Sequence, residues 1–280
     1  MSRARGGDPG ALPLGQAALL GLMHGPAELL PISSSAHVSI APWLLRWRYG
    51  ELPEATRKSF EVALHAGTAA ALLLLPGPGR RLPRGPGEWR LAIAACAPPA
   101  LAGLAAEGWI ERQLGTPAAI ASGLVAGSLL MALGDLAAGR RPAADARLAD
   151  GLWLGLAQAA ALAPGVSRRG ATESVARLRG FGRRDAAALA DAVGLPVVAG
   201  AAGLRAIRLL GRGLEPPLRA SFAGGAGCAF ASTLACARPA EAARGRAMWP
   251  WTAWRLLLAG GIALRLRRGS TARRRPRARP

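Results

Sequence analysis

A carboxylate, three hydroxyls and an imidazole occur within ten residues in the stretch ELLPISSSAH, which runs from Glu28 to His37 and contains Ser33, Ser34 and Ser35. A histidine has a pKa near neutrality, so it can take a proton from a serine hydroxyl or give one to a leaving oxygen. The stretch therefore predicts nucleophilic and acid–base chemistry. The structural alternatives are that Glu28 lies at a membrane interface and that His37 is a packed core residue.

A second polar stretch, APGVSRRGAT, gathers positive charge and hydroxyls on one turn. Its candidate binding residues are Gly165, Ser167, Arg168, Arg169 and Thr172. Guanidinium groups bind phosphate oxygens through paired hydrogen bonds, and a turn that leads into a helix adds backbone donors. The stretch predicts an anion site, with an arginine-rich cytoplasmic turn as the alternative. Together the two stretches supply what phosphoryl transfer needs: positive charge to hold phosphate oxygens and a group that attacks phosphorus.

The elements that must position these groups are strongly apolar. Of the 280 residues, 51% are hydrophobic, and the mean hydropathy is positive, at +0.22. This composition predicts an all-α integral membrane protein, in which a phosphate site implies a lipid phosphate. The formal net charge of +20 would suit nucleic acid, but nearly all the basic residues are arginines that lie between apolar runs. We therefore expect no nucleic-acid partner.

Apolar runs of membrane-crossing length predict about six transmembrane helices. They lie at residues 60–76, 89–106, 117–138, 186–204, 218–236 and 250–266. Two further apolar stretches, residues 14–45 and 151–176, have Pro, Gly and polar residues at their centres. Lipid cannot satisfy free backbone groups, so such breaks occur only where protein encloses them or where they line a wet cavity. We therefore predict two re-entrant helical hairpins.

The two halves of the chain resemble each other. GLMHGPAELLPISSSA, from Gly21, and GLAQAAALAPGVSRRG, from Gly155, share a Gly-Leu opening, a polar fourth residue and a later proline. Because three spans follow each stretch, the halves predict an inverted repeat within a single membrane domain, whose site forms where the broken segments meet. Repeat one covers residues 14–138, repeat two covers residues 151–266, and the basic tail, residues 267–280, is expected to be disordered.

ELLPISSSAH together with APGVSRRGAT resembles the paired motifs of the undecaprenyl-diphosphatase family. The resemblance extends over roughly residues 14–266 through Phe60-Glu61-Val62, the run from Leu64 to Thr68, GLAQ at residues 155–158 and Trp254-Arg255. It implies hydrolysis of a polyprenyl diphosphate to the monophosphate lipid carrier and inorganic phosphate, at the outer face of the bacterial cytoplasmic membrane. A non-hydrolytic polyprenyl-phosphate or anion transporter of the same architecture is the alternative, and a homo-oligomer is compatible with either function.

By position, the resemblance also implies roles for individual residues. The four catalytic positions are Glu28 as the essential carboxylate, Ser34 as the nucleophile or key hydroxyl, His37 as the acid–base partner and Arg168 as the diphosphate clamp. The substrate-binding positions are Ser33, Ser35, Gly165, Ser167, Arg169 and Thr172. A divalent cation, Mg²⁺ or Ca²⁺, is implied as cofactor, with Glu28 and the substrate's diphosphate as its ligands.

Two residues depart from the family's pattern. His24 stands where the family usually has an acid or Gln, one helical turn before Glu28, so it is an accessory candidate that can accept a proton or bind a softer metal. Arg169 stands where the family usually has Ser, and it adds positive charge and bulk to a tight site. We expect either change to alter metal dependence or activity.

The arginine-rich loops give a prediction of orientation. The loops at residues 77–90, 139–150, 177–185 and 238–246 share one side in the six-span arrangement, and the positive-inside rule assigns that side to the cytoplasm. Both termini would then face outward. The basic tail argues for the opposite orientation.

Overall fold

The computed structural model describes residues 12–75, 83, 85–212 and 215–274. Within these ranges the chain folds into ten α-helices and two short 3-10 helices. The α-helices are α1 (Leu14–Leu29), α2 (Ser34–Leu45), α3 (Glu54–Leu74), α4 (Pro86–Leu114), α5 (Pro117–Leu136), α6 (Leu148–Ala160), α7 (Arg168–Leu178), α8 (Arg183–Arg212), α9 (Pro216–Ala242) and α10 (Trp249–Arg274). The described residues form no strand beyond one isolated bridge, which confirms the all-helical prediction.

Four helical segments in the described part of the chain are long and apolar enough to cross a membrane. They are Pro86–Ala106, Pro117–Leu136, Arg183–Leu204 and Pro216–Ala242, and they overlap four of the predicted spans. The other two predicted spans fall mainly on α3 and on α10 but are not among these four. Large apolar side chains such as Leu129 and Leu257 face outward, as lipid contact requires. The chain is a membrane protein with several apolar helices.

The basic tail begins inside a helix. α10 continues as far as Arg274, and residues 275–280 lie outside the described part of the chain. No proline interrupts the sequence between Trp251 and Arg274, so nothing in its local chemistry ends the helix earlier.

Both polar stretches interrupt a helix with a short turn. α1 ends before Pro31, whose ring disfavours helical backbone at the preceding Leu30, and Leu30 is indeed extended (φ −104°, ψ 155°). Ser33 then adopts a left-handed φ of +76° before α2 begins. In the second stretch Gly165 has a φ of +97°, and a Cβ at this position would meet the backbone nitrogen of Leu124 at 2.8 Å. Only glycine fits there.

The packing of the helices relates the two halves of the chain. α1 packs on α9, α6 packs on α4, α5 packs on α10 and α3 packs on α8. The two halves can be compared by matching α1 to α5 in order with α6 to α10. The pair of α1 and α9 then corresponds to the pair of α6 and α4, while α5 with α10 and α3 with α8 each correspond to themselves. These four pairs are consistent with the predicted repeat, whereas the contact between α5 and α7 has no counterpart of similar extent between α10 and α2 in the described residues.

Glycines allow the interrupted helices to approach their partners closely. A Cβ at Gly21 of α1 would meet the Cβ of Cys228 in α9 at 2.8 Å, and a Cβ at Gly155 of α6 would meet Pro98 of α4 at 2.8 Å. Gly21 and Gly155 open the two matching sequence stretches. The shared Gly-Leu opening is therefore a helix-packing feature in both halves.

Candidate active site

Glu28 lies at the centre of a cluster formed by both interrupted segments. Its side chain, in the last turn of α1, is only 7% exposed. One carboxylate oxygen, Oε1, accepts a hydrogen bond from the Arg168 guanidinium at 2.6 Å, and the other, Oε2, accepts one from the Ser34 hydroxyl at 2.6 Å. A buried carboxylate requires such charged and hydrogen-bonding partners. The structure thus brings Glu28 and Ser34 of the first stretch together with Arg168, which lies 140 residues after Glu28 in the sequence.

The two breaks explain this convergence. Ser34 is the first residue of α2 and Arg168 is the first residue of α7. The unpaired N–H groups at the start of a helix carry partial positive charge. Because both of these residues bond to Glu28, two helix N-termini meet at one carboxylate. Such a place is suited to hold additional negative charge, such as phosphate oxygens.

His37 lies apart from this centre. Its Nδ1 is 2.8 Å from the carbonyl oxygen of Ser33, and its Nε2 accepts a hydrogen bond of 2.9 Å from the Trp254 indole. Both ring nitrogens therefore have partners, and no hydrogen bond found among the described residues joins His37 to Ser34 or Glu28. Its backbone is one helical turn past Ser33, so the ring folds back on the break instead of reaching across it.

His24 and His65 lie near Glu28, where the sequence placed His37. Nε2 of His65 is 3.8 Å from Oε2 of Glu28, and the ring centroids of His24 and His65 are 4.5 Å apart. The sequence identifies His24 as an accessory candidate but passes over His65. The signal for His65 was present in the LHAGT run of α3, where a histidine stands inside an apolar helix.

Arg169 is held by carboxylates and not directed at a free anion site. It forms an ion pair with Asp191 of α8 and lies 4.0 Å from Glu173 of α7. Asp191 is in turn paired with Arg244. The added positive charge that the sequence predicts at this position is therefore balanced by neighbouring acids, which sequence reasoning did not connect with it.

The hydroxyl residues around the breaks mostly satisfy backbone groups. Ser167 caps α7 by accepting from the Gly170 amide at 3.2 Å, and the Thr172 hydroxyl donates to the Arg168 carbonyl at 2.7 Å. The hydroxyls of Ser33 and Ser35 lie 3.3 Å apart. These contacts fix the shape of the turns. Of the predicted hydroxyl positions, Ser34 is the one that bonds to Glu28.

Arg255 of α10 is a buried residue that links the two breaks. Its side chain is fully buried, and its guanidinium donates to Pro31 O at 3.4 Å in the first break and to Gly165 O at 2.9 Å in the second. Further bonds go to Leu124 O and to the Ser128 hydroxyl, both in α5. The predicted binding residue Gly165 thus uses its carbonyl to accept a hydrogen bond from Arg255. The sequence shows Arg255 only as one of the matches to the family, although an arginine inside an apolar run is itself a signal of function.

A small cleft opens beside the cluster. It is lined by charged side chains and by leucines, namely Glu28, Arg168, Arg169, Asp191, Leu29, Leu72 and Leu195. A lining of charged groups and leucines suits a ligand with an anionic head and a hydrocarbon chain.

A family model described as bacitracin resistance protein BacA matches residues 17–261. The chain belongs to this family. The matched region contains both interrupted segments and Arg255, and it agrees with the extent of the resemblance read from the motifs.

Three relatives of the chain are named undecaprenyl-diphosphatase. A protein of Geobacter metallireducens named undecaprenyl-diphosphatase is 35% identical over 271 residues, which cover 89% of this chain and 96% of the relative. Proteins with the same name from Geobacter sulfurreducens and Pelobacter propionicus are 37% and 34% identical, over 89% and 88% of this chain and 96% and 94% of their own lengths.

The donor atoms near Glu28 can be compared with the cation that the family resemblance implies. Mg²⁺ and Ca²⁺ prefer six or more oxygen ligands. In the described part of the chain, the group able to hold a metal here is His24, Glu28 and His65, whose ligand atoms lie within 4.8 Å of one another. Two imidazoles and one carboxylate do not match a hard cation. The protein's own residues therefore fit Mg²⁺ or Ca²⁺ poorly.

Proposed function

We propose that this chain hydrolyses undecaprenyl diphosphate, or a closely related polyprenyl diphosphate, to the monophosphate lipid and inorganic phosphate. Family membership and the shared name of the curated relatives support this reaction. The single structural observation that carries it is the contact of Glu28 with both Ser34 and Arg168. That contact unites a hydroxyl, a base and a phosphate-binding cation beside a cleft lined by charged residues and leucines.

Arg168 and the N-termini of α2 and α7 are proposed to hold the diphosphate. A guanidinium forms two parallel hydrogen bonds with phosphate oxygens, and the helix ends add backbone donors. Entry of the diphosphate exchanges part of the bond between Arg168 and Glu28 for bonds to phosphate oxygens. The prenyl chain is proposed to pack against Leu72 and Leu195, which line the cleft.

The hydroxyl of Ser34 is proposed as the nucleophile, with Glu28 as its base. The hydroxyl already donates to Glu28 at 2.6 Å, so its proton passes to the carboxylate as Oγ bonds to the terminal phosphorus. The bond from that phosphorus to the bridging oxygen breaks, and its electron pair leaves on the lipid monophosphate. Water then releases inorganic phosphate from the serine. A water activated by Glu28 would give the same products, and isolation of a phosphoserine distinguishes the two routes.

The remaining predicted residues are proposed to support this centre. His37 holds the Ser33 turn and the Trp254 indole, so we assign it the positioning of the first break. A divalent cation, when bound, would neutralise charge on the diphosphate, and Mg²⁺ or Ca²⁺ would need the substrate's oxygens in addition to Glu28.

The finer membrane arrangement also remains a proposal. We propose six crossings, two re-entrant hairpins in an inverted repeat, and a site open to the outer face of the bacterial cytoplasmic membrane. Part of the first basic loop, residues 76–82 and 84, lies outside the described residues. Reporter fusions at positions 85 and 280 test the orientation: we expect position 85 in the cytoplasm and position 280 outside. A cytoplasmic position 280 would contradict it.

The reaction is tested by phosphate release from a long-chain prenyl diphosphate by detergent-purified protein. We expect Glu28→Gln and Arg168→Ala each to lower the rate by about 100-fold or more, as loss of a transition-state contact does. Glu54→Gln is the matched control, because Glu54 is an exposed acid outside the cluster that pairs with Lys58 across one helical turn. Lipid binding without release by the unaltered protein would overturn the proposal and favour the transporter.

A further inference from the structure

We propose that His24, Glu28 and His65 form a binding site for a transition-metal dication such as Zn²⁺ or Co²⁺. Two imidazoles and one carboxylate from α1 and α3 meet with their ligand atoms within 4.8 Å of one another. This donor set is that of many nitrogen- and oxygen-ligated transition-metal sites. It differs in kind from the oxygen cage that Mg²⁺ or Ca²⁺ requires.

The unpartnered nitrogen of His24 is the observation that points to a ligand. The side chain of His24 is fully buried. Its Nδ1 is 2.9 Å from the Thr68 hydroxyl, but its Nε2 has no hydrogen-bond partner. Buried polar atoms are nearly always satisfied, because an unpaired one costs free energy. A metal ion bonded to Nε2 would account for it.

The ring orientation of both histidines suits metal binding. Nδ1 of His65 is 2.8 Å from the Glu61 carbonyl oxygen, one helical turn earlier. A carbonyl only accepts, so Nδ1 carries the proton and Nε2 keeps its lone pair, which lies 3.8 Å from Oε2 of Glu28. The Thr68 hydroxyl can orient His24 in the same way by accepting from Nδ1. Oxygen partners on the second nitrogen are the usual means by which proteins orient metal-binding histidines.

Glu28 retains the capacity to bind a metal while it holds its other partners. A carboxylate has about four lone-pair sites, and in Glu28 one is used by Arg168 and one by Ser34. Bonds of about 2.1 Å from a metal to each ligand place ligand atoms at most about 4.2 Å apart. Tetrahedral geometry places them about 3.4 Å apart, so the observed limit of 4.8 Å requires the ligand atoms to move together by up to about 1.4 Å.

The departure at His24 gives this chain its expected metal preference. The family resemblance places an acid or Gln at this position, where an oxygen would face Glu28. Here an imidazole replaces that oxygen, and nitrogen ligands favour Zn²⁺, Co²⁺ and similar ions over Mg²⁺ and Ca²⁺. The inference concerns the site of the proposed phosphatase. It is nevertheless tested without substrate, so its failure is distinguishable from failure of the proposed reaction.

Metal binding is measured on full-length protein purified in detergent through a tag that contains no histidine. After removal of metal with a chelator, the protein is titrated with Co²⁺ and followed by visible absorption, and Zn²⁺ is counted by elemental analysis after dialysis. We expect one ion per chain and a Co²⁺ spectrum of a nitrogen- and oxygen-ligated site. Binding of Mg²⁺ or Ca²⁺ alone, or binding of no ion, would overturn the inference.

Three variants decide where the ion binds. His24→Gln and His65→Gln are expected to weaken Co²⁺ affinity at least about 10-fold, and Thr68→Val to weaken it by about 10-fold through loss of orientation. Glu54→Gln is the matched control, because Glu54 lies on α3 with His65 but is exposed and pairs with Lys58, and this variant should bind Co²⁺ as the unaltered protein does. Equal binding by all variants, judged on those whose melting temperature is retained, would also overturn the inference.

His24→Glu supplies a test in the opposite direction. It restores an oxygen donor at this position, so the preference of the site should shift from Co²⁺ toward Mg²⁺ and Ca²⁺. Competition between Co²⁺ and Mg²⁺, read from the Co²⁺ absorption, reports this shift. An unchanged preference in a folded His24→Glu protein would count against His24 as a ligand.

Discussion

The two interrupted segments share an architecture but differ in how their polar groups are used. In the second segment, Ser167 and Thr172 bond to the backbone of their own helix. In the first, Ser34 and His24 turn away from their own backbone toward Glu28 and α3. The comparison teaches that the second segment is a support whose arginines reach Glu28 and α8, whereas the first carries the groups with chemical capacity.

Secondary contacts reinforce this difference. The first turn of α6, which leads into the second segment, contains Asp150, a fully buried carboxylate bonded by Arg141 and Arg179. No comparable ion cluster is found at the start of α1 in the described residues, where Gln16 instead accepts from the Tyr49 amide. Because these ion pairs fix the start of α6, we expect the second segment to be rigid and to keep Arg168 in contact with Glu28.

The strongest test of this comparison is to replace Arg255, which bonds to the breaks of both segments. Arg255→Met should lower the free energy of unfolding by about 3 kcal/mol, because it leaves several buried carbonyls without a donor. Phosphate release should fall as well, since the breaks at Pro31 and Gly165 lose their common partner. Thermal unfolding in detergent, followed by tryptophan fluorescence, measures the first effect.

Arg265→Met is the matched control for Arg255→Met. Arg265 lies on the same helix but is only partly buried and bonds a single carbonyl, that of Leu44. Its loss should cost well under half as much stability. Equal effects of the two substitutions would show that Arg255 does not join the segments energetically.

The proposed rigidity of the second segment is tested at its base by Asp150→Asn. Burial raises the pKa of the Asp150 carboxyl, but hydrogen bonds from Arg141, from the Arg147 amide and from Arg179 outweigh it and hold the pKa below its usual value. Removing the charge should therefore cost about 2 kcal/mol at neutral pH. The expected loss is smaller than at Arg255, because both arginine partners retain access to water.

The lowered pKa fixes the direction of the pH dependence. The carboxylate stabilises the fold above the pKa that Asp150 has in the unfolded chain, and this contribution is lost as pH falls through the lower folded pKa. From pH 7 down to about pH 3, the unaltered protein should therefore lose more stability than Asp150→Asn. Parallel melting-temperature curves for the two proteins would contradict a charged, structural role for Asp150.

Particular residues show how far the sequence could predict this molecule. The breaks were predictable because Pro31 and Pro164 restrict the backbone locally, and the apolar runs were predictable because lipid demands them. The meeting of Glu28 and Arg168 followed from the repeat. These features depend on local chemistry or on a period in the sequence.

Other parts of the site depend on side-chain packing between helices, which a sequence pattern does not encode. Placing His37 with the nucleophile was reasonable from its spacing, yet the ring turns back to Ser33 and Trp254. His65 replaces it beside Glu28 because α3 crosses α1 there. Likewise, no sequence pattern near Arg169 predicts Asp191 as its partner.

Arg168 and Arg169 give the smallest and sharpest contrast, because the two residues are adjacent and chemically identical. Arg168 bonds to Glu28 at the reactive centre, whereas Arg169 is neutralised by Asp191 and Glu173. Arg169→Ser, which restores the residue usual in the family, should change phosphate release less than about 3-fold, against the 100-fold loss expected for Arg168→Ala. Asp191 keeps its pairing with Arg244, whereas the buried Glu173 loses its ion pair with Arg169.

The salt dependence of substrate binding completes this contrast. If Arg169 contacted the diphosphate, Arg169→Ser would raise the KM and weaken its dependence on ionic strength, as loss of a phosphate contact does. We expect neither change, since the charge of Arg169 is already balanced by Asp191. A KM for Arg169→Ser raised 10-fold or more with an unchanged kcat would instead assign Arg169 to the substrate. The second segment would then present two arginines to the lipid head and not one.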